Sequence, residues 1–167
     1  MKSNNIRSLA MSAMIAAIYA AVTLFLAPIS FGPFQIRVAE ALTVLPFLFP
    51  QSIFGLFAGC LIANIGGTVM GASLGLPDIV FGSLATLLAA YLTSKCKKIW
   101  LAPLPPILIN AIVIGALITI VYAPGAGLAA FPLFAGEVAL GQTIACYAIG
   151  LPLLVFLKKN ERFRASQ

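Results

Sequence analysis

The sequence predicts an all-α integral membrane protein, a single bundle of six transmembrane helices over residues 1–167. Three observations predict it. The chain is 62% hydrophobic and 8% charged, with a mean hydropathy of +1.09, whereas a soluble domain carries about 25% charged residues to cover its surface. Long apolar stretches alternate with loops rich in Gly and Pro. Nine of the ten Lys and Arg residues lie at three places: Lys2 and Arg7; Lys95, Lys97 and Lys98; Lys158, Lys159, Arg162 and Arg164. Cytoplasmic loops carry the Lys/Arg excess of a membrane protein. Six crossings put all three clusters on one side, and five or seven do not. A closed barrel would instead show strands of about ten alternating residues.

The spans follow in order. Span one, 9–26, comes after Lys2 and Arg7; it is longer than the ~7–15-residue core of a signal peptide, and further spans follow, so it reads as retained. Pro28, Gly32 and Pro33 form a loop. Span two, 37–50, is short and contains Pro46. Span three, 52–71, is rich in glycine. Span four, 78–94, leads into the sequence KCKK. Span five, 105–122, is followed by PGAGLAA, and span six covers 131–157. Both ends then lie in the cytoplasm. No internal repeat is visible, which argues against a carrier built from two inverted halves.

Several function classes drop out. The net charge of +6 comes from cations that flank apolar spans, not from a basic face, so no nucleic-acid partner is implied. The chain has no histidine, the commonest metal ligand and general base. Cys60, Cys96 and Cys146 are too scattered for a metal site or a disulfide framework, and no metal is expected. Nor is a catalytic residue: no pair of aspartates sits at helical spacing within a span. The phosphate-binding pattern GxxxxGK[ST] is missing as well.

Span one carries a seam of small residues, Ala13, Ala17 and Ala21, broadened by Ala10, Ala16 and Ala20. Residues four apart share a helical face, and small ones let another helix approach closely. The seam serves either packing inside the bundle or the docking of a second protein.

Four charges lie away from the basic clusters: Arg37, Glu40, Asp78 and Glu137. Arg37 and Glu40, three apart at the start of span two, are expected to share a face as an ion pair or as part of a site, with Thr43 continuing that face. Asp78 follows Pro77 and reads as a helix N-cap or as a ligand contact. Glu137 lies inside span six with no cation near it in sequence; an ionisable residue in a span usually marks a polar pathway or site. Asn64, Asn110, Gln142 and Tyr122 add uncharged polar groups, although Asn110 falls toward the inner end of span five. Gln142 is about 140° around the helix from Glu137, so the two should face different ways. With all groups ionised, one Arg and three carboxylates leave −2, which suits a cationic or donor-rich ligand. Carboxylates are acceptor-only and pair well with the adjacent N–H groups of a guanine-like edge. Tyr19, Phe31, Phe34, Tyr122, Phe131 and Phe134 are candidate stacking faces.

The segment FGPFQIRVAEALTVLPFLFP, the later IANIGG and the alanine seam resemble the substrate-binding (S) component of an energy-coupling factor vitamin transporter, and within that group the QueT queuosine-precursor transporters. The resemblance implies the six-helix S-component fold and a ligand that is a queuosine precursor, 7-aminomethyl-7-deazaguanine. It implies as partners a coupling transmembrane protein and two ATPases that hydrolyse ATP, with no cofactor held by this chain. It implies docking of the coupling protein on Ala13, Ala17 and Ala21, ligand contact by Arg37, Glu40, Asp78 and Glu137, and residence in the bacterial cytoplasmic membrane.

Overall fold

The computed structural model describes residues 2–31, 36–125 and 129–160. Helix α1 (Lys2–Phe25) and the one-turn α2 (Ala27–Ser30) are followed by a 3₁₀ helix, Val38–Phe47. Then come α3 (Ser52–Val69), a π-helical turn Asp78–Gly82 that runs into α4 (Ser83–Ser94), and a 3₁₀ turn Ile99–Leu101. Helix α5 (Leu104–Tyr122) and a composite rod complete the chain; the rod joins α6 (Phe131–Thr143), a second π segment Ile144–Gly150 and α7 (Leu151–Lys159). No strand occurs among the described residues.

Among the described residues, four stretches are long and apolar enough to cross a membrane: Ile6–Phe25, Ser52–Val69, Ile99–Tyr122 and Phe131–Lys159. Val38–Phe47 and Asp78–Ser94 are apolar but shorter. The helical bundle therefore differs from six uniform spans, and the seven α-helices among the described residues do not map one to one onto them. Span two departs furthest. A ten-residue 3₁₀ helix rises about 20 Å at ~2.0 Å per residue, against ~30 Å of hydrocarbon. Pro46 gives a local reason, since in an α-helix its ring would meet the carbonyl four residues back.

Packing fixes the directions. The start of α1 meets the start of α3, where Ser12 Oγ donates to the Gln51 carbonyl at 2.7 Å. A Cβ on Gly55 would sit 2.4 Å from the Ser12 carbonyl oxygen, and one on Gly59 2.8 Å from that of Ala16. The two helices thus run parallel in near backbone contact, which only glycine permits. Helix α4 runs back along α3, for Thr86 reaches Cys60 at 3.3 Å. Thr93 donates to the Ala102 carbonyl, so α5 starts where α4 ends. Ile114 and Ile118 of α5 pack with Val138 of α6. Leu157 of α7 joins the same core cluster as Met11 and Ile53.

These registers bring Arg7, Lys95, Lys97, Lys98, Lys158 and Lys159 to one end of the bundle, as the charge pattern predicts. Arg162 and Arg164 lie outside the described residues, as does the side chain of Lys2. Threonines in the helices return their hydroxyls to carbonyls four back, as Thr23 does to Tyr19 and Thr119 to Gly115, which satisfies them without a partner helix.

Candidate functional site

Two buried polar groups lie in the bundle, one on Arg37 and one on Glu40. The first is built on Arg37. This residue caps the 3₁₀ helix with extended backbone, φ −84° and ψ 98°, so its side chain leaves the helix instead of lying over Glu40. Its Nη2 donates to Asp78 Oδ2 at 3.1 Å, and both residues are buried. Its Nε reaches the Ser30 carbonyl at 3.4 Å, and its guanidinium lies 4.7 Å from the centre of the Phe31 ring. The expected Arg37–Glu40 ion pair is therefore corrected. Three-residue spacing aligns side chains only when both belong to the helix, and Arg37 precedes it. The reading of Asp78 as a cap is corrected too. Its carboxylate is turned into the core, and the turn it opens has no side-chain cap.

Asn64 steadies Asp78 by donating to its backbone carbonyl at 2.9 Å. A Cβ on Gly82 would lie 2.8 Å from Asp78 Oδ1 and 3.0 Å from Asn64 Nδ2, so glycine there makes room for the pair. Asp78 Oδ1, Asn64 Oδ1 and Ser30 Oγ have no hydrogen-bond partner among the described residues. Buried polar atoms are nearly always paired, so these three are where an additional donor would be accepted.

The second group centres on Glu40. Its Oε1 accepts a short hydrogen bond from the Tyr19 hydroxyl, and its Oε2 accepts from Asn110 Nδ2 at 3.2 Å. The Gln142 side chain joins the group through Cys146, whose Sγ lies 3.7 Å from Gln142 Oε1. Thr43 Oγ1 donates to the Glu40 carbonyl at 2.6 Å, so Thr43 serves the backbone of the 3₁₀ helix. Cys146 Sγ is 3.5 Å from the same carbonyl. Glu40 thus has neutral donors as direct partners, with Arg37 close enough to act on it electrostatically. Asn110 belongs to this cluster despite its place along span five, because the short 3₁₀ helix carries Glu40 deep into the bundle. Tyr19, placed among the stacking candidates, instead acts through its hydroxyl. No spacing in the sequence signals that role.

Glu137 belongs to neither group. It lies on α6 at the margin of the face that buries Val138, Gly141 and Gln142, and its carboxylate has no partner among the described residues. Gln142 is buried, whereas Glu137 is half-buried. Tyr122 is 66% exposed and joins no cluster. Phe134 packs partly buried on the Ile114–Val138 cluster, and Phe131 is half-buried at the start of α6. Phe34 lies outside the described residues. Among the described residues no group of His, Cys, Asp and Glu is able to hold a metal ion. Cys60 and Cys146 are buried and free.

Along α1, Ala13, Ala17 and Ala21 are all exposed, whereas Ala16 and Ala20 are buried. The broad strip therefore divides into an inner face, which meets α3, and an outer one.

The family model for QueT transporters matches residues 9–159. The chain belongs to the QueT transporter family. The match runs from α1 to the end of α7 and takes in both polar groups, so this QueT-family protein is a transporter by family, and four long apolar helices among its described residues accord with a place in a membrane. No curated protein and no solved structure matches the chain.

Proposed function

We propose that this chain is the substrate-binding membrane subunit of an ATP-driven energy-coupling factor importer and that it captures a queuosine precursor, 7-aminomethyl-7-deazaguanine. The observation that carries the reading is Glu137, a half-buried carboxylate in an apolar helix with no partner among the described residues. A carboxylate in a span is costly unless it faces a polar site, and a cationic aminomethyl arm or a guanine-like donor edge offsets that cost. Glu137 takes one of these groups. Asp78 Oδ1, also without a partner among the described residues, supplies the second acceptor. Arg37 holds Asp78, and Asn64, Glu40, Asn110 and Gln142 form the floor beneath; Tyr122 stands at the exposed rim.

In this reading the ligand enters at the end away from the lysines, which is the cell exterior if the basic end is cytoplasmic. The exposed face of Ala13, Ala17 and Ala21 docks the coupling protein, and two partner ATPases drive the bundle to reorient and release the ligand inside. Titration calorimetry of the purified chain with 7-aminomethyl-7-deazaguanine tests the site: Glu137→Gln should weaken binding at least tenfold, and unchanged affinity would sink this role for Glu137. Reconstitution tests the assembly. Uptake should need ATP and the partner subunits; uptake by the chain alone, driven by an ion gradient, would make it a self-contained carrier with Glu137 as the coupling carboxylate.

A further inference from the structure

At the basic end, an open cleft of about 440 Å³ is lined by Trp100, Tyr147, Leu151, Pro152, Phe156 and Lys159. It lies between the 3₁₀ turn Ile99–Leu101 and the composite rod of α6 and α7. The Tyr147 hydroxyl donates to the Trp100 carbonyl at 3.1 Å and ties the two walls together. Trp100 is 66% exposed and Phe156 63%, so the apolar walls are open to their surroundings. Its volume falls within the ~300–1,000 Å³ of small-ligand sites.

The cleft's polar rim has one sign. Lys159 lines it, Lys158 is its neighbour, and Lys97 and Lys98 directly precede the turn that carries Trp100; all four are exposed. Among the described residues no carboxylate lies at this end, since Glu40, Asp78 and Glu137 are elsewhere; Glu161 is outside the described residues. Trp and Tyr concentrate at membrane–water boundaries. Lysines there extend their stems along apolar surface and hold the ammonium at headgroup level.

We propose that this cleft is a binding site for an anionic phospholipid, with an acyl chain against Trp100, Leu151 and Phe156 and the phosphate on Lys159 and Lys98. Apolar walls alone would accept any lipid. The lysines confer the preference, because basic pockets between membrane helices select acidic headgroups. The site is independent of the transported substrate and of the acids at the other end.

Trp100 is the one tryptophan of the chain, so its fluorescence reports this cleft without a label. The full chain is reconstituted with phosphatidylglycerol or phosphatidylcholine brominated on the acyl chains. Brominated phosphatidylglycerol should reach half-quenching at a severalfold lower mole fraction. Lys159→Ala and Lys98→Ala should each weaken that preference, and the double variant should abolish it. For the unmodified chain, salt near 1 M, where screening acts within about 3 Å, should also shrink it. Equal quenching by the two lipids, quenching by neither, or a preference that survives the double lysine variant would each overturn the proposal. Circular dichroism of the variants confirms that the helices are retained.

Discussion

Glu40 and Glu137 are both lone carboxylates in apolar helices, yet the bundle treats them in opposite ways. Glu40 is 1% exposed and has Tyr19 and Asn110 as donors, so both its carboxylate oxygens are satisfied within the fold. Glu137 sits at the margin of a buried face with no donor among the described residues. A buried acceptor that is satisfied holds helices in place, and one that is not is free for an incoming group. The difference comes from depth and neighbours: the 3₁₀ helix takes Glu40 to where α1, α5 and α6 converge, while α6 keeps Glu137 nearer the bundle edge.

Removing a partner from the buried ion pair should break the fold side of this comparison most. Asp78→Ala leaves Arg37 buried and unpaired and should cost about 3–5 kcal/mol, read as loss of helical signal on denaturation in detergent. A double replacement, Arg37→Met with Asp78→Leu, should restore much of that loss. If it is no more stable than the single variant, the ion pair is not what matters there. Glu40→Ala comes next. It orphans the Tyr19 hydroxyl and the Asn110 amide and should cost about 2 kcal/mol, whereas Glu40→Gln keeps an acceptor and should cost less.

Glu137→Gln should change stability by no more than about 0.5 kcal/mol, as surface changes do, while weakening ligand binding. A large stability loss with intact binding would reverse the roles assigned to the two glutamates. The smallest structural effect is expected of Ala17→Trp on the exposed face of α1. Folding and ligand binding should be preserved and uptake by the reconstituted complex abolished; surviving uptake would exclude that face as the docking surface.

Much of this was legible along the chain. The lysine clusters and the Gly/Pro loops located the apolar helices, and the four displaced charges marked the polar interior. Other features were hidden for physical reasons. Arg37 and Asp78 are 41 positions apart, and no local period links them; Glu40 stands at helical spacing from Arg37, but Arg37 precedes the helix and its side chain leaves it. Tyr19 and Asn110 lie in α1 and α5, and only folding brings them to one carboxylate. The alanine strip is narrower than its sequence suggests, since Ala16 and Ala20 turn toward α3 while Ala13, Ala17 and Ala21, four apart, stay together on the outer face.

The sequence by itself determined that this is a helical membrane protein, that its lysines gather at one end and that its few acids need explanation, because hydrophobicity and charge along a chain are local properties and a bilayer sorts them without reference to packing. Only the tertiary structure decided which charges neutralise one another and which is left open. That choice depends on distances between helices, set by glycine contacts such as Gly55 on Ser12 and by the shortened 3₁₀ span, and neither is a property of any one segment.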